Sequence, residues 1–183
     1  MPRYTSLMQA LWLEVPEHFL EERRRLGHDK KDELWDGVLH MVPSPGLHHQ
    51  RLSTDLLIAL HPIARRFGLE SWCDSTSVRG PTDNWRIPDL VFARSDQRSK
   101  RGLASAELVI EVLSPNDESR KKLPFYASVG VREVWIIDPV TRVSEIFAGT
   151  TPVIGGVSQV LGVRLETVGT KLRIHDGDSF TDV

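Results

Sequence analysis

Apolar residues recur at helical spacing in the segment 48–68, "HHQRLSTDLLIALHPIARRFG". A repeat of three to four positions is the period of an amphipathic α-helix with one buried face. Gly68 is a typical residue just after a helix end, whereas Pro62 lies inside the pattern and is expected to kink the helix or to split off its last turn. The apolar positions that carry the pattern are Leu52, Leu56, Leu60, Ile63 and Phe67.

Short apolar runs elsewhere predict β-strands. Within "ELWDGVLHMV", Asp36-Gly37 is a strong turn signal between two extended segments, so we expect a hairpin. The segments "ESWCDSTSVRG" and "WRIPDLVFA" are predicted to be two strands joined by a turn, and "LVIEVLSP" and "REVWIIDP" to be buried strands. Between the last two, "DESRKKLPFYASVG" predicts a helix that becomes regular near Pro124, after an irregular lead-in.

The order of these elements predicts an α/β fold, in which helices lie on the faces of a mixed central sheet. An added N-terminal hairpin precedes this core. The Gly-rich tail, from about residue 150 to residue 183, alternates weakly and is expected to form edge strands. A length of 183 residues fits a single domain.

Composition indicates a globular chain with a substantial core, because 40% of the residues are hydrophobic and 26% are charged. No segment is apolar for long enough to cross a bilayer, and the first residues lack the apolar region and cleavage site of a signal peptide. We therefore expect a cytoplasmic protein with no membrane partner. The formal net charge of −2 counts against a dedicated duplex-binding protein, so a nucleic acid would have to meet a local basic patch or a bound metal.

Two carboxylates lie inside apolar strand patterns. Glu111 is flanked by apolar residues in "LVIEVL", and Asp89 shares a predicted strand face with Val91. The connecting loop is short enough for the two strands to pair as an antiparallel hairpin, which would bring these acids together. Neighbouring carboxylates repel unless something positive lies between them, and Mg²⁺ is commonly held by one or two carboxylates. The alternative is that each acid pairs with its own basic side chain, and the arginines to consider are Arg79, Arg86 and Arg132.

Other groups in the sequence have the capacity for phosphate or acid–base chemistry. A lysine of "RKKLPFY" follows the Glu111 strand and could place its ammonium near a scissile phosphate, although most lysines are exposed to solvent. Glu33 and His49 are two more side chains that can bind a metal or transfer a proton. A histidine at a helix start is, however, more commonly a cap or a surface residue.

Taken together and in this order, the motifs "ELWDG", "PSP…HHQ", "RIPDLVFA", "LVIEVLSP" and "KKLPFYASVGVREVWIIDP" resemble the Uma family of putative endonucleases, a domain-of-unknown-function family. That family is placed in the PD-(D/E)XK restriction-endonuclease-like superfamily. The resemblance covers about residues 32–147. It implies an αβββαβ core that binds a divalent metal, Mg²⁺ or Mn²⁺, at the ends of its strands.

By this resemblance, Asp89 and Glu111 match the two acids of the motif, and both are expected to bind the metal. Glu33 matches an acid that the superfamily often supplies from its first helix, which makes it a candidate further ligand. His49 matches the histidine that commonly follows the Pro-Ser-Pro turn.

One position departs from the superfamily motif, which places a lysine two residues after the second acid, where this chain has Leu113. In the Uma family this lysine is found on the following helix. Lys122 fits that position because it lies four residues before Tyr126, and Lys121 is the alternative.

The resemblance implies a metal-dependent endonuclease that hydrolyses DNA phosphodiester bonds. Its catalytic residues would be Asp89, Glu111, Lys122, His49 and Glu33. Two alternatives stay open: a catalytically inactive module on the nuclease fold that binds nucleic acid or a protein partner, and a structural domain with paired acids. A homodimer would allow both strands of a duplex to be cut, and the tryptophans that could supply an interface are Trp12, Trp35, Trp72 and Trp85.

Overall fold

The computed structural model describes residues 11–12 and 16–183, apart from residues 28, 43, 82 and 116. The expectations for the first ten residues, the side chain of Trp12 and Pro43 therefore lie outside the described residues. The described helices are α1 (Glu17–Leu26), α2 (Leu47–Arg66) and α3 (Leu123–Ser128). The described strands are β1 (Leu11–Trp12), β2 (Glu33–Trp35), β3 (Val38–His40), β4 (Glu70–Cys73), β5 (Val78–Arg79), β6 (Trp85–Arg86), β7 (Leu90–Ala93), β8 (Arg98–Ser99), β9 (Gly102–Leu103), β10 (Leu108–Val112), β11 (Glu133–Ile137), β12 (Ser144–Ala148), β13 (Thr151–Pro152), β14 (Arg164–Val168), β15 (Lys171–Asp176) and β16 (Ser179–Asp182).

The predicted N-terminal hairpin is formed by β2 and β3, which pair antiparallel across the turn at Asp36 and Gly37. Both turn residues have positive φ, 49° and 88°, which is the backbone that an Asp-Gly pair favours in a two-residue hairpin loop. This hairpin belongs to the first described sheet, whose strand order is β1-β3-β2-β6-β5-β9-β8.

The predicted helix over residues 48–68 is α2, and its apolar residues are buried as expected. The helix continues through Pro62 to Arg66, so the proline does not split off a last turn. Proline removes the backbone hydrogen bond to the residue four positions earlier, which is Ile58. Pro62 and Ile58 are both exposed, and we infer that water solvates the carbonyl that proline leaves unpaired.

The central sheet has the order β13-β12-β11-β10-β7-β4. In this sheet β10 pairs antiparallel with β7 and parallel with β11, and α3 lies between β10 and β11 in the chain. The core order is thus α2-β4-β7-β10-α3-β11, which is the αβββαβ order that the sequence predicts. A short 3-10 helix, Ser119–Lys122, precedes α3 and provides the expected irregular lead-in to Pro124.

The two faces of the central sheet bury different clusters, because successive side chains of a strand point to opposite faces. Leu90, Phe92, Leu108 and Ile110 pack with α2 on one face. Val91 and Val109, which alternate with them, pack on the other face with apolar residues of α3. Asp89 and Glu111 continue this second series and therefore lie on the α3 side of the sheet.

The C-terminal tail forms a third sheet of its own, with the order β14-β15-β16, while β13 is an edge strand of the central sheet. Leu165, Leu172 and Ile174 of the third sheet are buried in the cluster that contains the α2 leucines. The tail thus covers part of α2. Within the described part of the chain, no helix is both long enough and apolar enough to cross a membrane.

Candidate functional site

Asp89 and Glu111 are brought together by the pairing of β7 with β10. The last paired residues are Leu90 and Ile110, so that Asp89 and Glu111 are the next opposed positions. The backbone N–H of Val112 donates a hydrogen bond to Oδ2 of Asp89 at 2.8 Å. His49, near the start of α2, places Nε2 3.1 Å from the same oxygen. Both of these contacts end on Oδ2, and the Asp89 side chain keeps 19% of its surface exposed.

Lys122 lies between two buried glutamates. Its Nζ donates to Oε1 of Glu33 at 2.9 Å and to the two oxygens of Glu111 at 3.2 and 3.1 Å. The Lys122 side chain is 11% exposed, against 1% for Glu33 and 4% for Glu111. Lys121, the alternative from the sequence, is instead exposed and pairs with Glu118. The 3-10 helix therefore directs Lys122, and not its neighbour, at the acids.

Two aromatic side chains hold the glutamates in place. The Tyr126 hydroxyl is fully buried and donates to Oε1 of Glu111 at 2.5 Å. Tyr126 lies four residues after Lys122, so that one turn of helix presents both donors to the same carboxylate. On the other side, Nε1 of Trp35 donates to Oε2 of Glu33 at 2.7 Å, and the backbone N–H of Ile87 donates to Oε1 at 2.7 Å.

Glu33 comes from strand β2 and not from a helix, which differs from the superfamily pattern that the resemblance implies. The sequence interpretation also did not assign a role to Tyr126 or Trp35. Their positions carry a signal that local reasoning can use: Tyr126 is one helical turn from Lys122, and Trp35 is two residues from Glu33 and so shares its strand face.

The site carries an excess of negative charge. Three carboxylates, those of Glu33, Asp89 and Glu111, lie in the site, and among the described ion pairs Lys122 is the one lysine or arginine that contacts any of them, namely Glu33 and Glu111. With all three carboxylates ionised, two negative charges have no cation in contact to balance them, and protonation of Glu111 reduces this excess to one charge. Arg86 lies nearby, but its guanidinium packs against the rings of Trp35 and Phe125, 4.4 and 4.2 Å from their centroids.

Burial and the neighbouring charges shift the pKa values of three groups in the site. Burial raises the pKa of Glu111 to about 8, and the carboxylates of Asp89 and Glu33 act in the same direction, against the lowering effect of Lys122. Burial alone would lower the pKa of Lys122, but Glu111 and Glu33 more than offset this and raise it, so that the ammonium stays charged. Burial and the Glu111 charge also raise the pKa of Tyr126 well above its ordinary value, which keeps its hydroxyl protonated as a donor.

The donor chemistry fits a hard divalent cation, although the geometry is not that of a preformed metal site. Over residues 11–183, excluding the gaps given above, no group of three or more histidine, cysteine, aspartate or glutamate side chains is arranged to hold a metal ion. The reason is visible in the contacts, because Lys122 lies between Glu33 and Glu111. Carboxylate oxygens are nevertheless the ligands that Mg²⁺ prefers, and a divalent ion that displaced the Glu111 proton would balance the two excess negative charges of the ionised site.

All five sequence-predicted residues line one cleft of about 560 Å³. They are Glu33, His49, Asp89, Glu111 and Lys122. His40 also lines the cleft, stacked on Trp35 with a centroid distance of 3.9 Å, and the sequence interpretation did not identify it.

The arginines named as alternative partners do not pair with the two strand acids among the described ion pairs. Arg132 pairs with Glu107, and Arg79 donates to the backbone oxygen of Arg101. Arg86 donates to the backbone oxygen of Leu34. The alternative of an arginine or lysine partner for each acid is therefore met for Glu111 by Lys122, while Asp89 contacts His49, and none of the three candidate arginines supplies such a pair.

Comparison with known proteins gives a family and a fold. The family model described as "Uma2: Putative restriction endonuclease" matches residues 16–160. A solved structure from Anabaena variabilis, described as a putative nuclease belonging to DUF820, is 17% identical to this chain, with a TM-score of 0.59. The similarity covers 72% of this chain and 80% of that one, which shows a shared fold. No curated protein matches the chain.

Proposed function

The chain belongs to the Uma2 family of putative restriction endonucleases, and from this membership we propose that it is a Mg²⁺-dependent endonuclease that hydrolyses DNA phosphodiester bonds. The observation that carries the proposal is the charge excess in the cleft. Three carboxylates with one contacting ammonium leave room for a divalent cation, as a phosphodiesterase needs. A purely structural cluster would gain from balanced charges, because unpaired buried charges are costly.

Asp89 and Glu111 are the proposed metal ligands. Asp89 is held by His49 and by the Val112 N–H through Oδ2, which leaves Oδ1 for a cation. Glu111 is oriented by the Tyr126 hydroxyl. When bound, Mg²⁺ supplies a Lewis acid that neutralises phosphate oxygens and lowers the pKa of the attacking water.

Lys122 is the proposed electrostatic group for the scissile phosphate. Its ammonium stays charged and is held at the acids by Glu33, whose own oxygens are fixed by Trp35 and the Ile87 N–H. A positive charge fixed before reaction stabilises developing negative charge without a cost of reorganisation. Glu33 thereby positions Lys122, and it is also the candidate third metal ligand.

His49 orients Asp89 through Nε2, and its second ring nitrogen, Nδ1, does not contact Asp89. Nδ1 of His49 is buried and has no hydrogen-bond partner among the described residues. A buried water molecule would satisfy this nitrogen and help to fix the ring against Asp89, which fits an orienting role for His49.

The second candidate function is a module of the same fold that binds nucleic acid or a protein partner without cleavage. It is favoured by Lys122, which already occupies the space between Glu33 and Glu111 and neutralises part of their charge. A module of this kind has no need for a shared cation at Asp89 and Glu111. Cleavage of both strands of a duplex by the first candidate would in addition call for a homodimer.

Titration calorimetry with Mg²⁺ and Mn²⁺ tests the proposal, together with a nuclease assay on DNA. The variants are Asp89→Asn and Glu111→Gln, and the matched control is Glu107→Gln. Glu107 is also buried and immediately precedes the same strand, but pairs with Arg132 away from the cleft. We expect metal binding and cleavage in the wild type and the control, and loss of both in the two site variants. Metal binding unaffected by either site variant would contradict the proposal.

A further inference from the structure

The cleft is small in comparison with a DNA duplex. Its volume is about 560 Å³. Pockets of about 300–1,000 Å³ enclose ligands of drug size, and a nucleotide is of this size. The cleft therefore has room for one or two unpaired nucleotides.

Two of the reactive groups, the carboxylates of Glu33 and Glu111, are almost completely buried, whereas Asp89 is partly exposed. Glu111 is 3% exposed and Glu33 is 1% exposed. A phosphate must enter the cleft to reach them, and the nucleotides attached to it must follow. In a duplex the complementary strand is held against the same nucleotides, so it would have to enter as well.

Helix α1 forms one wall of the cleft. Phe19 and Arg23 lie one turn apart on its surface and both line the cavity. Arg23 is fixed by Asp32, which directly precedes β2, with Nε to Oδ2 at 3.0 Å and Nη2 to Oδ1 at 2.5 Å. The lining of the cleft also includes apolar side chains that suit the flat faces of unstacked bases, namely Met41, Val42 and Pro45.

The cations of the cleft are already paired. Arg23 pairs with Asp32, Lys31 pairs with Asp74, and Lys122 pairs with Glu33 and Glu111. Duplex-binding surfaces gain affinity from many lysines and arginines that neutralise successive phosphates. The described cleft offers contacts to few phosphates, so binding should depend only weakly on salt.

We propose that the substrate is an unpaired DNA strand, a free single strand or an overhang, of which one or two nucleotides enter the cleft. This inference rests on the proposed nuclease function and adds the form of DNA that the site takes. Phe19 is the side chain proposed to contact a base. The same volume and wall that admit one strand exclude an intact duplex.

The test uses one labelled oligonucleotide as a free strand, as a blunt duplex and as a duplex with an overhang. Cleavage is measured with Mg²⁺ or Mn²⁺, and binding is measured by fluorescence anisotropy with Ca²⁺. We expect the free strand and the overhang to be cut and bound at least about tenfold better than the duplex. The slope of log affinity against log salt should be about −1, as for one or two phosphates on a single strand.

The outcomes separate this inference from the proposed function. Cleavage of the blunt duplex as fast as the free strand would overturn the inference and leave the nuclease function intact. Absence of cleavage on every form would refute the nuclease function. The binding data would then still test the preference for an unpaired strand: equal binding of all three forms, or no binding of any form, overturns the inference. Phe19→Ala should weaken single-strand binding about tenfold. The control is His18→Ala, which changes the exposed neighbouring residue and should leave binding unchanged. Unchanged binding in Phe19→Ala would contradict the proposed base contact.

Discussion

The raised pKa of Glu111 makes a prediction about stability that does not depend on knowing the substrate. Glu111 has a pKa of about 8 in the folded protein, against an ordinary value of 4.5. The folded chain therefore holds the proton more tightly than the unfolded chain. The contribution of this proton to the free energy of unfolding is fully present below about pH 4.5 and is lost as the pH rises through 8.

The size of the effect follows from the difference in pKa. About 3.5 pH units separate the two values, and each unit corresponds to about 1.4 kcal/mol, so that roughly 5 kcal/mol of unfolding free energy depends on this group. Because Glu111 is buried, little of this is screened by solvent. For a chain of this length, each kcal/mol shifts the melting temperature by about 2–4 °C.

The measurement is urea unfolding at pH 5, 6, 7, 8 and 9 in the presence of a chelator. Glu111→Gln carries no titrating group at this position, so the difference between wild type and variant isolates Glu111 from all other titrations. We expect the wild type to lose stability relative to the variant by about 1.4 kcal/mol per pH unit up to pH 8. The control Glu107→Gln should keep the slope of the wild type.

Parallel stability curves for the wild type and Glu111→Gln would refute this reasoning. Such a result would mean that Lys122 balances the charge of Glu111 and that no excess exists. A metal provides the converse test: Mg²⁺ at one hundred times its dissociation constant should stabilise the wild type by about 2.7 kcal/mol. The stabilisation should be greatest at alkaline pH, where the ion does not have to displace the proton.

Three further outcomes are expected. Lys122→Met should reduce cleavage by a factor of about 100 or more without weakening Mg²⁺ binding, and Lys121→Met should leave cleavage near the wild-type rate. A cleavage assay on single-stranded DNA, together with calorimetry, can check both. Burial lowers the pKa of His40, so protonation of His40 destabilises the folded chain as the pH falls below about 6.5. His40→Gln should therefore lose less stability than the wild type when urea unfolding is measured at decreasing pH. An unchanged loss of stability in acid would contradict this prediction. Glu133→Ala should lower the free energy of unfolding by about 3–5 kcal/mol, because it leaves the Trp135 Nε1 and two backbone N–H groups without their acceptor. A decrease of less than about 1 kcal/mol in urea unfolding would contradict this prediction and show that water replaces these bonds.

The sequence predicted best what local patterns determine. Asp36-Gly37 located the first hairpin, and the alternation in "IPDLVFA" and "LVIEVLSP" correctly assigned Asp89 and Glu111 to the same face of paired strands. In both cases the signal lies within a few residues, where strand and turn geometry fix side-chain direction. The choice of Lys122, which the structure brings to Glu111, came instead from the family resemblance, in which the lysine lies four residues before the tyrosine.

Contacts between distant parts of the chain were not predictable in the same way. Lys122 and Glu33 are 89 positions apart, and no local periodicity relates them. Arg86 was named as a partner for the strand acids, but its guanidinium lies between aromatic rings, an arrangement that only the tertiary fold produces. The continuity of α2 through Pro62 likewise depends on which face of the helix meets water.

The third sheet bears on where the folding unit of this family ends in this chain. The family match stops at residue 160, but the core around α2 continues through Val163, Leu165, Leu172 and Ile174. At the end of the matched region, the Glu133 carboxylate accepts the backbone N–H groups of Gln159 and Val160, which lead directly into this segment. A chain truncated after residue 160 would expose the leucines of α2 to solvent and would therefore be prone to aggregate. The buried core therefore extends beyond the residues that the family model matches, and deletion boundaries should follow the core.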